Sequence, residues 1–163
     1  MPSGDAVAQP AFEQTKATCV ARRLLRWEQM PPAETAGPSK TILLVEDDPG
    51  LRFATAAFLE AEGFSVIPAS TGADALLILM HMDPPDLIVL DLMLPLMSGW
   101  DVSAELAKDE RLSLVPVIIF SGVADTREAA ILRAQPENCV KKPVPPDKLL
   151  AAVRRCLALE TNL

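Results

Sequence analysis

From Thr41 onward, short apolar runs alternate with stretches of helical period, and this alternation leaves few folds open. The runs are Ile42-Leu43-Leu44-Val45, Phe64-Ser65-Val66-Ile67, Leu87-Ile88-Val89-Leu90, Val115-Pro116-Val117-Ile118-Ile119-Phe120 and a weaker Cys139-Val140. Each reads as a strand, and three are apolar on both faces, as parallel strands covered by helices on either side must be. The segments between them carry helix punctuation. Asp48 can cap a helix with Pro49 at its first position, Leu51, Ala54, Phe58 and Ala61 form a stripe, and Gly63 stops it. Thr71 with Asp74 three residues on resembles a capping box ahead of Leu76, Leu79 and Met80. Ser98 or Gly99 opens a helix through Lys108, Asp125 caps one reaching Ala134, and Pro146 begins the last, with Leu149, Val153 and Leu157 inside. Five βα units predict an α/β protein built on a doubly wound parallel five-stranded sheet with right-handed crossovers.

Residues 1–39 differ in kind. They hold Pro2, Pro10, Pro31, Pro32 and Pro38 and end in PPAETAGPSK, a linker-like composition, which places a boundary near Lys40 and makes 40–163 the folded domain. Within this extension, residues 12–30 could form an amphipathic helix with Val20, Leu24 and Trp27 on one stripe and Arg22, Arg23 and Arg26 nearby. Two readings stand: a partly disordered extension of marginal helicity, or a docking or membrane-surface helix.

The 163 residues, half of them hydrophobic, suit one globular domain. Mean hydropathy is positive (+0.23), yet no run approaches the roughly 20 apolar residues that span a bilayer. Met1 to Gln9 lacks a basic start and an apolar stretch, so no secretory signal is read and a cytoplasmic protein is expected. In residues 1–39 Lys16, Arg22, Arg23 and Arg26 balance Asp5, Glu13, Glu28 and Glu34, so the whole net charge of −7 sits in residues 40–163. Such a domain repels phosphate backbones and argues against direct nucleic-acid binding. Cys19, Cys139 and Cys156 are odd in number, far apart and without a CxxC spacing, which indicates neither a disulfide framework nor a zinc site.

Ligands in open α/β sheets bind beyond the carboxyl ends of the strands, and here those ends are polar. Strand 1 runs into Glu46-Asp47-Asp48, strand 3 into Asp91, strand 4 into Ser121, and strand 5 into Lys141-Lys142-Pro143. Close carboxylates cannot all stay ionised unless a cation joins them, and Mg²⁺, with its preference for oxygen ligands and phosphate, suits the set. The same pocket could accept a phosphoryl group, with Asp91 as the attacking carboxylate, Ser121 as a hydrogen-bond donor and Lys142 as the counter-charge. Taken singly, Asp48 reads best as a helix cap, Ser121-Gly122 as a plain turn and Lys142 as a solvated lysine. Their common position at the same end of successive strands is what a plain structural role leaves unexplained.

ILLVEDDPGLR, PDLIVLDLMLPLMSGW, VPVIIFSG and VKKP together resemble the four signatures of the response-regulator receiver domain of two-component signalling, over residues 41 to 159. The separations fit as well: 44 residues from Asp47 to Asp91, 30 to Ser121 and 21 to Lys142. The resemblance implies a flavodoxin-like strand order 2-1-3-4-5 and Asp91 as phosphoacceptor, fed by a histidine kinase or a histidine phosphotransfer protein. It implies a Mg²⁺ site made by Glu46, Asp47, Asp91 and the Met93 carbonyl, with Asp47 a direct ligand and Glu46 acting through water. Ser121 and Lys142 match the hydroxyl and lysine of the family, with a cis peptide at Pro143, and Pro95 and Gly99 match the loop after the phosphoacceptor. Met93 and Val123 fall at the family's rate-tuning positions.

Two departures are visible. Cys139 stands where receivers usually place a Tyr or Phe, three residues before the lysine, and Gln135-Pro136 replaces the Gly-Ala that commonly precedes strand 5. The chemical site is complete, whereas the usual output surface of the last strand and last two helices is altered. Few residues remain after the last helix, so the expected protein is a stand-alone, non-enzymatic receiver whose output passes through a partner. A pseudo-receiver that binds without phosphorylation is the first alternative. An aspartyl-nucleophile phosphohydrolase is the second, and it would need an acid where Met93 stands. A Rossmann or P-loop enzyme is disfavoured, because Glu46-Asp47-Asp48-Pro49 occupies the place of a phosphate-cradling glycine loop.

Overall fold

The computed structural model describes residues 39–123 and 136–159. The helices expected over 12–30 and 125–134 lie outside the described residues. Chain order is β1 (Thr41–Val45), α1 (Pro49–Ala61), β2 (Ser65–Ala69), α2 (Gly72–His81), β3 (Leu87–Leu90), α3 (Gly99–Leu106), β4 (Val117–Ser121), β5 (Cys139–Lys141) and α4 (Pro146–Leu159). The strands form one parallel sheet in the order β2-β1-β3-β4-β5.

The strand residues explain the order. Ile42 to Val45 of β1, all of β3 and Ile118 to Ser121 of β4 are buried, and these three strands take the middle. β2 carries Pro68, which cannot donate to a ladder, and lies at an edge. Alternate side chains feed two cores. Ile42, Leu44, Leu87, Val89, Ile118 and Phe120 pack with Leu59 of α1 and with Leu149 and Val153 of α4. Leu43, Val45, Ile88 and Leu90 pack with Ala75 and Leu79 of α2 and with Val102 and Leu106 of α3.

Helix boundaries follow their caps. Asp48 Oδ1 accepts from the Leu51 amide at 2.6 Å, with Pro49 at the first helical position. Gly63 follows α1 with φ +93°, the left-handed conformation glycine adopts without steric cost. Thr71 caps α2 as expected, but the Asp74 carboxylate bonds Ser70 Oγ at 2.7 Å. Ser98 caps α3 in a full capping box with Asp101. Two apolar stripes need correction. In α1 the deepest residues are Thr55 and Leu59 while Ala54 is exposed, and in α2 Ala75 and Leu79 are buried while Met80 is 75% exposed. Both helices turn the face centred on an i, i+4 pair toward the sheet, a rotation that period alone leaves open.

At the amino end of the sheet, Asp86 ties β1 to the lead-in of β3. It accepts from Lys40 Nζ and from the Thr41 amide, each at 2.7 Å, and its own amide donates to the Thr41 carbonyl at 2.9 Å. Burial works against its charge, but the ammonium and the amide outweigh it and hold its pKa below the usual value of 3.8. A lowered carboxylate pKa stabilises the fold above the unfolded-state pKa, and that stability is lost as pH falls through the folded value. Replacing Asp86 with Asn should therefore lower stability above pH ~4 and flatten the acid limb of a urea-denaturation series below it. An acid limb identical to that of the parent protein would show that Asp86 carries none of it.

Candidate functional site

Parallel register brings the polar strand ends together. Val45 pairs with Leu90 and Ser121 with Lys141, so Glu46, Asp91, Ser121 and Lys142 meet at one rim. The ladder runs one residue past the strands. The Asp91 amide donates to the Val45 carbonyl and the Lys142 amide to the Ser121 carbonyl, both at 3.0 Å. The Lys142–Pro143 peptide is cis.

Glu46 and Asp91 are buried and Asp47 is exposed, and one carboxylate oxygen from each lies within 4.8 Å of the others. Lys142 Nζ donates to Glu46 Oε2 and, at 2.7 Å, to Asp91 Oδ2. The other Asp91 oxygen accepts from the Met93 amide at 2.9 Å. Burial penalises the Asp91 charge, yet Lys142, the Met93 amide and the Ser121 hydroxyl outweigh it and hold the carboxyl below the usual range. For Glu46 the balance is reversed: burial outweighs Lys142 and raises its pKa. The carboxylates are thus partly compensated by Lys142, which corrects the picture of wholly uncompensated charge read from the strand ends. One ammonium against three carboxylates still leaves a net negative rim of oxygen donors, and this donor set fits a hard divalent cation.

Ser121 Oγ is fully buried beside the Asp91 carboxylate and helps to hold its pKa down, yet no partner among the described residues lies within close hydrogen-bond distance of it. The hydroxyl is therefore only loosely engaged, a donor that a nearer oxygen could take up. Asp48, by contrast, is spent on the α1 cap.

Two contributors escaped the sequence reading. Arg52 Nη1 donates to the carbonyls of Glu46 at 2.7 Å and Asp47 at 3.1 Å, holding the acidic loop from α1. A single arginine in the first turns of a helix carries no signal of that role. The Phe120 ring lies under Lys142, 4.7 Å from Nζ to the centroid, and in the sequence it is one more apolar strand residue. Cys139, in the aromatic position, packs half-buried against Leu92 and Ile119.

The loop after Asp91 is tight. The Met97 amide donates to the Pro95 carbonyl at 2.7 Å around Leu96, whose φ is +67° and whose side chain is wholly exposed. Gly99 closes the loop by donating to the Leu92 carbonyl at 3.0 Å.

With this geometry in view, residues 42–154 match the response regulator receiver domain family. The chain belongs to that family. It is 38% identical over 114 residues to the DNA-binding response regulator MtrA of Mycolicibacterium smegmatis, covering 69% of this chain and 48% of MtrA. It is 30% identical over 118 residues to Protein PilH of Pseudomonas aeruginosa, covering 72% of this chain and 97% of PilH. The chain thus spans about half the length of MtrA and of several other curated relatives, and nearly all of PilH. Among solved structures, the CheY-like receiver domain protein of Methanospirillum hungatei superposes with a TM-score of 0.69 at 26% identity, covering 77% of this chain and 98% of that one. Among the described residues, no helix is long and apolar enough to cross a membrane.

A Cβ placed on Gly99 would lie 2.2 Å from the Asp91 carbonyl oxygen and 2.7 Å from Leu92 Cα. Helix propensity alone would favour Gly99→Ala by ~1 kcal/mol. The backbone clash reverses the sign, so the variant should lose about 1–3 kcal/mol in urea denaturation and shift the Asp91 and Leu92 amide resonances. A stabilised variant with unmoved resonances would show that the approach is not required.

Proposed function

We propose that residues 40–163 form a phosphorylation-dependent signalling receiver, with residues 1–39 as a separate extension. Asp91 accepts a phosphoryl group from a histidine kinase or histidine phosphotransfer protein, and output passes through a partner protein. The observation that carries this reading is a buried carboxylate held in its ionised form beside an ammonium and a buried, loosely engaged hydroxyl.

The chemistry follows from those groups. Asp91 stays ionised and supplies the attacking oxygen. A bond forms from that oxygen to phosphorus as the bond from phosphorus to the donor's imidazole nitrogen breaks. Lys142 pairs with the negative charge on the phosphoryl oxygens, and Ser121 Oγ donates to one of them. Glu46, Asp47, Asp91 and the Met93 carbonyl would hold Mg²⁺, which supplies charge neutralisation for the transferring group. Arg52 fixes the backbone on which the two acids after β1 are carried. The phosphohydrolase alternative lacks an acid at Met93, where an exposed thioether stands. The pseudo-receiver alternative draws on Cys139 and on Gln135-Pro136, and the complete acid, hydroxyl and lysine set speaks against it.

Incubation with acetyl phosphate, read by intact mass, tests the reading. One phosphoryl group should be added in the presence of Mg²⁺ and none after chelation, and Asp91→Asn should abolish the addition while keeping the fold. Stability of the Asn variant should fall at neutral pH, since the carboxylate it removes is held in its ionised form by Lys142 in the folded state. Phosphate persisting on the variant would move the acceptor elsewhere, and a wild type that takes none would favour the binding-module alternative.

The lifetime of the acyl phosphate tests the rim. Met93 and Val123 are 58% and 39% exposed, and neither side chain can orient water by hydrogen bonding. Hydrolysis needs a water in line with the Asp91–phosphorus bond, so these residues should make it slow. Met93→Asn combined with Val123→Glu should shorten the lifetime about tenfold, and each single change should do less. Decay after donor removal at an unchanged rate in the double variant would show that the two side chains do not control access.

A further inference from the structure

Building on the phosphoryl-transfer reading of Asp91 and Lys142, we propose that Phe120 is a positioning residue whose ring face holds the Lys142 ammonium at the rim throughout the reaction. The ammonium sits 4.7 Å from the ring centroid, inside the ~6 Å range in which the negative face of an aromatic ring attracts a cation. Phe120 is 5% exposed and the Lys142 side chain 15%, so the contact lies where little water competes with it. Phe120 itself is fixed by β4, its backbone one residue before Ser121 and its side chain within the core shared by α1 and α4.

The reaction makes this contact matter. Lys142 is held by ion pairs to Glu46 and Asp91. When the Asp91 oxygen becomes bonded to phosphorus, that carboxylate loses its charge and the ammonium has to pass from it to the phosphoryl oxygens, so one of its two anchors changes during the step. The ring neither reacts nor titrates, so its attraction persists from the free site to the phosphorylated one. Lysine has a flexible four-carbon stem, and an unreactive third contact limits the positions its ammonium can take. An aliphatic residue of similar bulk would fill the core equally well and would supply no such attraction.

The test uses the full chain and the variants Phe120→Leu and Phe120→Tyr. A cavity of about 100 Å³ beside the ring, lined by Thr55 among apolar residues, gives the tyrosine hydroxyl room. In the unphosphorylated wild type, the ε-methylene protons of Lys142 should resonate upfield through the ring current. The shift should vanish in Phe120→Leu and survive in Phe120→Tyr. Phosphorylation by acetyl phosphate should be about fivefold slower in Phe120→Leu, the size of one partly buried cation–π contact, and near the wild-type rate in Phe120→Tyr. Mg²⁺ affinity, read from the Asp47 amide resonance, should be equal in all three. An unshifted Lys142 in the wild type, a Phe120→Leu variant of wild-type rate, a Phe120→Tyr variant as slow as Phe120→Leu, or a Mg²⁺ affinity that falls with the rate would each overturn the proposal. A wild type that takes no phosphoryl group on Asp91 sinks the phosphoryl-transfer reading instead. The ring-current shift and its loss in Phe120→Leu then still decide whether Phe120 holds the ammonium.

Discussion

One ammonium shared by two buried carboxylates organises the carboxyl edge of this sheet. Glu46 leaves β1, Asp91 leaves β3 and Lys142 follows β5, so the ion pairs join β5 to two strands, β1 and β3, with which it shares no ladder. Without Lys142 the two acids would face each other in a site too dry to keep both ionised. Removing one member of such a cluster leaves a charge buried and unpaired, which costs far more than the intact arrangement contributes. The short β5 is placed by its ladder to β4 and by the Lys142 amide bonded to the Ser121 carbonyl. The position of the ammonium is therefore a consequence of the backbone, and the electrostatics of Asp91 follow from it.

The segment between Asp91 and α3 is the second constraint. Leu96 sits at positive φ inside a three-residue turn, a conformation strained for a residue with a side chain. The Ser98–Asp101 capping box fixes one end of this segment, and the contact of Gly99 with the backbone of Asp91 and Leu92 fixes the point where the helix departs. These elements leave the Met93 amide free to bond the Asp91 carboxylate. Leu96 itself is turned fully to solvent, so the strain serves the path of the chain and no apolar contact among the described residues.

Much of the fold could be read from the residues because its signals are local. Asp48-Pro49, Gly63, Ser98 and Pro146 mark helix ends through hydrogen bonds and φ preferences that span a few residues, and the structure keeps each of them. Central strands were legible because burial on both faces demands an unbroken apolar run. The faces of α1 and α2 were less so. Ala54 and Met80 belong to apolar stripes by spacing, yet the sheet accepts the neighbouring stripe, since a helix rich in apolar residues presents more than one.

By itself the sequence determined the chemical inventory: acids after the first and third strands, a hydroxyl after the fourth, a lysine after the fifth, at separations that resemble the one family to which the chain belongs. Tertiary structure alone decided what each group does to the others. It put Lys142 on both Glu46 and Asp91, buried Ser121 Oγ beside Asp91 without a close partner, spent Asp48 on a cap, set Arg52 over the acidic loop and laid Phe120 beneath the ammonium. The physical reason is range. Caps, turns and periodicity act over a few residues along the chain, whereas the Lys142 ion pairs close across 96 and 51 residues, where ångström-scale differences in position set which charge is paired, how closely a hydroxyl is engaged and which pKa moves.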